Sequence, residues 1–241
     1  MAKSKIEWTQ ESWNPTTGCT KISSGCTHCY AETMSKRLQA MGVEKYKHGF
    51  HKIVTHPKTL SLPYCWKKKR LVFVNSMSDL FHENVPINFI RKVFKVMNDC
   101  SDHTFQVLTK RAERLYKISD ELKWGSNIWM GVTVENSETL NRIKYLRLSK
   151  AKIKFLSIEP LLGPLDNLEL KEIDWVIVGG ESGPGSRLMD VEWVTPIREK
   201  CNQSDTPFFF KQWGGVNKKK TGRKLDGRYW DEMPDFKPMK K

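Results

Sequence analysis

No apolar run in this chain is long enough to cross a bilayer, which excludes a membrane-spanning helix. The opening stretch MAKSKIEWTQ lacks the apolar core of a secretory leader, so we expect a cytoplasmic protein with no membrane partner. Acidic residues are scarce: 27 Asp and Glu stand against 41 Lys and Arg, a formal charge of +14. The imbalance points to a polyanionic partner, because each phosphate neutralised by a Lys or Arg releases a condensed counterion. Nucleic acid is the leading candidate. Neither a Ser-His-Asp elbow nor a phosphate-binding P-loop occurs, so those chemistries lack their residues.

Cysteine is also sparse, but three of the six are concentrated: Cys19, Cys26 and Cys29 in the run CTKISSGCTHCYA. In a reducing cytosol such a cluster binds metal more often than it pairs as disulfides. A closed structural zinc site takes four protein ligands and an ordinary iron-sulfur cubane four cysteines, so three thiolates leave one coordination position open. Gly18 and Gly25 directly precede Cys19 and Cys26 and permit the turns of a loop that wraps a cluster. A helix should follow, with Ala31, Met34, Leu38 and Met41 on its face and Gly42 as its stop. Its first turn would add amide donors and a favourable dipole. Cys65, Cys100 and Cys201 occur singly and read as buried small hydrophobes. His48, His51 and His56 read as surface residues of a basic loop rather than as zinc ligands.

The remaining chain alternates short apolar, β-rich runs with amphipathic stretches, the pattern of βα units. Strands are expected at Leu71–Ser76, Phe105–Thr109, Ile128–Val134, Ile153–Ile158, Asp174–Gly180 and Pro207–Trp213, preceded by another near Trp13–Thr17. Helix faces are expected at Phe89, Ile90, Val93, Phe94 and Met97, at Leu140, Ile143 and Leu146, and at Val194, Ile197 and Cys201. Near-continuous apolar runs suit parallel strands covered on both faces. We therefore expect an α/β fold, a full or partial β/α barrel over residues 1–215, followed by a basic tail over 216–241. Polar residues close almost every strand, namely Asp79, Lys110, Glu135, Glu159, Glu181 and Lys211, and in a parallel barrel those ends gather at one mouth. Asp79, Lys110, Glu135, Glu159 and Lys211 are the candidate catalytic residues. The two middle carboxylates, Glu135 and Glu159, read equally well as partners of Lys110, Arg111 or Lys211 in buried ion pairs. Positive charge concentrates in WKKKR (Trp66–Arg70), at Lys150, Lys152 and Lys154, and at Lys218, Lys219, Lys220, Arg223 and Lys224. Most of the nine tryptophans read as structural.

The three-cysteine loop on a β/α pattern, with His28 before the last cysteine and Tyr30 after it, resembles the radical S-adenosylmethionine (SAM) enzymes. The runs EWTQESWNPTTGC, GCTHCYAE, FVNSMSDLFHENVP, FQVLTKRAERL, GVTVEN, SIEPLLGPL, VIVGGESGPGSR and FFFKQWGG resemble more closely a radical SAM-like, three-cysteine-motif family of phage and prophage proteins with no defined function. The resemblance implies a 4Fe-4S cluster on Cys19, Cys26 and Cys29 whose open iron takes SAM, and reductive cleavage of SAM; the basic charge makes a nucleic acid, or a protein associated with one, the expected target. The resemblance also implies a protein partner encoded nearby. Six residues separate Cys19 from Cys26, where the usual radical SAM motif has three. The Gly-Gly-Glu segment that such proteins carry after an early strand is replaced by NSMSD, which makes Asn75 and Asp79 the candidate SAM contacts there. Gly179, Gly180, Glu181 and Arg187 in VIVGGESGPGSR resemble the later segment that lines the adenine and ribose. The alternative is a non-catalytic nucleic-acid- or partner-binding protein whose cysteines hold structural zinc or an iron-sulfur site.

Overall fold

Alternation of residues across each strand builds an apolar layer on one sheet face and a graded, aromatic-to-polar layer on the other. The computed structural model describes residues 4 and 6–234. In chain order the elements are β1 (Glu11–Trp13), β2 (Thr16–Thr17), α1 (Tyr30–Ala40), β3 (Val54–Thr55), β4 (Leu71–Val74), α2 (Ile87–Asp99), β5 (Thr104–Thr109), α3 (Ala112–Ile118), β6 (Ile128–Thr133) and α4 (Asn141–Arg147). They continue as β7 (Ile153–Ile158), β8 (Trp175–Gly179), α5 (Val191–Gln203), β9 (Phe208–Gln212) and α6 (Lys218–Thr221). Seven strands form one parallel sheet in the order β1, β4, β5, β6, β7, β8, β9.

Residues Val72 and Val74, Phe105 and Val107, Met130 and Val132, Leu156 and Ile158, and Val176 and Val178 share the core with the apolar faces of α2, α4 and α5. The alternate residues Phe73, Trp129, Phe155, Trp175, Ile177 and Phe209 form a second cluster with Trp8 on the opposite face. The sheet is strongly curled. Trp8, just before β1, lies 6.1 Å from Trp175 of β8 between ring centroids, whereas five strand spacings in a flat sheet would separate them by about 24 Å. Gly131 makes room in this interior, because a Cβ there would fall 2.4 Å from the Phe155 ring. Since β1 and β9 do not pair with each other, the expected barrel is a partial one.

Both edges are covered. At β1, the Trp13 indole donates to the Thr59 carbonyl at 2.9 Å. At β9, Phe210 N donates to Trp230 O at 2.9 Å, and Phe209 bridges Asp231 in antiparallel fashion. The segment following residue 215 is thus packed on the barrel as far as it is described. Residues 235–241 of the expected tail, and 1–3 and 5 of the expected barrel domain, lie outside the described residues.

Pro15 divides the expected Trp13–Thr17 strand. β1 pairs with β4, whereas β2 leaves the sheet and pairs antiparallel with β3. Proline offers no amide to a ladder, and the Asn14 side chain accepts from Met77 N at 3.1 Å instead. The expected face of α1 also needs correction. Ala31 and Ser35 are buried and Leu38 packs beside Tyr46, Phe50 and Met77, while Met34 and Met41 are exposed. Gly42 does end the helix region in a left-handed conformation, at φ +71°. Cys100 and Cys201 are buried, but Cys65 is exposed on the short turn Pro63–Cys65. Of the three loop histidines, His48 and His51 are exposed, whereas His56 is half-buried with Nε2 2.8 Å from Thr17 Oγ1.

Candidate active site at the barrel mouth

Inside the barrel the side-chain chemistry changes along each strand. Continuing the inward alternation by one step leads from Phe73 to Asn75, from Leu108 to Lys110, from Thr133 to Glu135, from Ser157 to Glu159 and from Phe209 to Lys211. The N-terminal end of the interior is therefore aromatic and the C-terminal end charged. The polar ring expected from the sequence is assembled largely as ion pairs. Glu135 is wholly buried and takes Lys110 Nζ and Ser23 Oγ (2.8 Å) on Oε1 and Arg142 on Oε2 (3.2 Å). Burial would raise this carboxyl, but Lys110 and Arg142 outweigh it and hold Glu135 below the usual carboxylate range. Lys211 Nζ donates to Glu159 Oε1 at 2.6 Å. These two pairs realise the ion-pair reading of Glu135 and Glu159, and both retain partial access to the mouth.

The cysteine loop lies between β2 and α1, at the same C-terminal end of the sheet. Ser23 ties it to Glu135, and Arg187 NH2 ties it to loop 182–188 by donating to the Ser24 carbonyl at 2.9 Å. Arg187 is itself clamped on Glu181, with Nε at 2.9 Å from Oε2 and NH2 at 2.6 Å from Oε1. Gly25 is required for this packing, since a Cβ there would meet the Glu135 carboxylate at 2.5 Å. Gly180 is equally confined: its Cβ would fall 2.0 Å from the Trp213 carbonyl oxygen. Gly179 lies under Glu159, 3.3 Å from its carboxyl carbon by the same measure.

Cys26 is buried, and Cys19 and Cys29 are partly exposed. Cys26 lies within electrostatic reach of both others. Burial, reinforced by Asp79, pushes the Cys19 thiol up to about 11 against the opposing pull of Arg111. Burial also raises Cys29, and the amides of Glu32 and Ala31 in the first turn of α1 offset part of the rise. As free thiols at neutral pH, Cys19 and Cys29 are therefore protonated, and a cationic iron or zinc centre supplies the charge that turns such groups into ligands. Three soft sulfurs on one anchored loop fit an iron-sulfur cluster in donor chemistry. Among the described residues no three His, Cys, Asp or Glu side chains converge as they would around a single metal ion. The cysteines of a cubane each meet a different iron, which spreads them more widely.

Asp79 is not free to receive a ligand amine. Its Oδ1 accepts from Thr109 Oγ1 (2.7 Å) and Phe81 N (2.9 Å), and its Oδ2 from Lys110 N (3.1 Å) and Arg111 NH1 (3.2 Å). Asn75 is buried with its Nδ2 on Thr16 Oγ1, and its Oδ1 has no hydrogen-bond partner in the described structure. The sequence offered Arg111 only as a strand-end residue and candidate partner of Glu135 or Glu159, whereas it pairs with Asp79 and its NH1 stands 3.6 Å from Cys19 Sγ.

No curated protein matches the sequence. In fold the chain is similar to a mutant of spore photoproduct lyase with dinucleoside spore photoproduct (TM-score 0.52) and to a second mutant of that lyase (TM-score 0.51). Each is 10% identical, and the match covers 84% of this chain and 63% of the lyase. Over residues 3–234 the chain matches the family described as protein of unknown function (DUF5131), and it belongs to that family.

Proposed function

We propose that this protein is a radical SAM-type iron-sulfur enzyme, in which Cys19, Cys26 and Cys29 hold a 4Fe-4S cluster and which cleaves SAM reductively to act on a nucleic acid or a protein associated with one. The observation that carries the reading is the anchoring of a three-thiol loop across a polar barrel mouth through Ser23 to Glu135 and through Arg187 to Ser24. A structural metal loop has no need of that location, whereas an open coordination position acquires a use where strand-end side chains converge. When bound and reduced, the cluster supplies the electron that breaks a carbon–sulfur bond of SAM.

The chain's own contributions are positioning and charge. Lys110 and Lys211, with side chains 21% and 13% exposed, present ammonium groups that can receive a carboxylate or a phosphate. Glu159 retains an oxygen for hydroxyl or amine donors, and Asn75 Oδ1 is an acceptor in reserve. Asp79 acts indirectly by fixing Arg111 and the backbone of Lys110. Gly179 and Gly180 permit close backbone approach at the end of β8. A nucleic-acid target is supported by the net charge of +14 and by the similarly folded lyase, whose structure carries a dinucleoside photoproduct.

Anaerobic reconstitution with iron and sulfide tests the reading. The expected product is brown, holds about four irons per chain, and releases methionine and 5'-deoxyadenosine from SAM when reduced with dithionite. A colourless protein that retains zinc and leaves SAM intact would overturn it in favour of a binding module.

A further inference from the structure

We propose that Arg111 is a positioning residue that raises the reduction potential of the sulfur site by donating to the Cys19 thiolate. This rests on the iron-sulfur reading above and adds to it an asymmetry among the three ligands. Arg111 is 5% exposed, and each of its guanidinium nitrogens is engaged. NH1 reaches Cys19 Sγ at 3.6 Å and Asp79 Oδ2 at 3.2 Å, NH2 reaches Thr20 O at 3.1 Å and Thr20 Oγ1 at 3.0 Å, and Nε reaches Glu83 Oε2 at 2.9 Å. The planar fork is thereby fixed before any ligand arrives. It also grips the backbone next to Cys19, so sulfur and donor keep their relation if the loop shifts.

The other two cysteines lack such a partner among the described residues. Cys26 Sγ has the neutral Ser23 hydroxyl at 3.9 Å, and Cys29 sits at the N-cap position of α1 with no side-chain capping bond, near the amides of Ala31 and Glu32 and within the longer-range field of Lys110 but with no cation donating to its sulfur. A cationic donor at one thiolate withdraws negative charge from that corner and favours the more negative, reduced form of the cluster. Asp79 and Glu83 oppose this by neutralising the guanidinium. They differ in access, since the Asp79 side chain is 9% exposed and that of Glu83 61%. Glu83 is therefore a surface handle on a buried charge.

The test is a dye-mediated redox titration of reconstituted protein, followed by electron paramagnetic resonance. Arg111→Gln should lower the ratio of reduced to oxidised cluster at fixed potential about tenfold, which is about 59 mV for a one-electron couple. Glu83→Gln keeps an acceptor for Nε but removes the counter-charge, so its midpoint should move upward. Opposite signs cannot arise from a general loosening of the fold. Midpoints of both variants equal to wild type would overturn the proposal. If Arg111→Gln fails to retain a cluster, Glu83→Gln decides alone: an upward shift supports the inference and an unchanged value overturns it. Wild-type protein that takes up no cluster at all would instead sink the underlying iron-sulfur reading, and this inference with it.

Discussion

Ser23 Oγ donates to Glu135 Oε1 at 2.8 Å, joining the cysteine loop to the end of β6 across 112 positions of sequence. Glu135 is the fixed partner, because Lys110 and Arg142 already neutralise it in the interior. Glu135→Leu removes one side of that buried arrangement and leaves two cations facing an apolar group. A loss of about 3–5 kcal/mol in urea unfolding is expected, against about 1 kcal/mol for Ser23→Ala. Equal, small losses for both would show that the loop is not anchored there.

Gly25 faces the same carboxylate with no room for a side chain, its Cβ position being 2.5 Å from Glu135. The buried ion pairs prevent Glu135 from yielding, so Gly25→Ala must displace the loop. We expect about 1–3 kcal/mol of destabilisation together with reduced iron retention after reconstitution. Gly163→Ala is the matched control, since its nearest neighbour would be Asn136 Cβ at 4.0 Å. That variant should stay within about 0.5 kcal/mol of wild type.

Much of the scaffold is legible in the sequence because each parallel strand is buried on both faces and so reads as an apolar run, as at Ile153–Ile158, whose bounds coincide with β7. The inward strand ends are legible for the same reason, since period two carries Phe73 to Asn75 and Leu108 to Lys110. What the pattern cannot reveal is partnership at long range. Arg111 and Cys19 lie 92 positions apart, and no local spacing distinguishes an arginine that meets a sulfur from one that meets a carboxylate. The role of Asp79 is hidden likewise, because its saturation depends on Thr109 and on two backbone amides of the next strand end and its own turn. The face of α1 is misjudged because Ser35, a small polar residue, occupies the buried position that hydropathy assigns to Met34.

Acid stability should report on His56. Burial, reinforced by Lys45, lowers its pKa from 6.5 to about 4. The unfolded chain then takes up a proton before the folded one, so stability is full above pH 6.5 and falls as pH drops toward 4. Glu135 and Glu181 are held below the carboxylate value of 4.5, so their contribution is lost only at more acid pH. Thermal midpoints collected between neutral pH and pH 4.5 should therefore decline more steeply in wild type than in His56→Gln, which keeps the share due to His82 and His103, both also held below 6.5 by burial. Parallel curves for the two proteins would refute the assignment.

The basic runs are divided between the two ends of the barrel, and this separates binding at the mouth from binding elsewhere. Lys67 and Lys68 precede β4 and so stand at the aromatic, N-terminal end, whereas Lys219 and Lys220 follow β9 at the end that carries the cysteine loop. All four are exposed. If a polyanion at the mouth also engages the second pair, each lysine that neutralises a duplex phosphate contributes about 0.9 to the slope of log affinity against log salt. Replacing Lys219 and Lys220 by Ala should therefore flatten that slope by about 1.8, as read by fluorescence anisotropy across a salt series. Replacing Lys67 and Lys68 should leave it unchanged. The opposite outcome would place the nucleic acid at the far end of the barrel, where no strand-end side chain of the mouth can reach it, and would detach the charge of the chain from its chemistry.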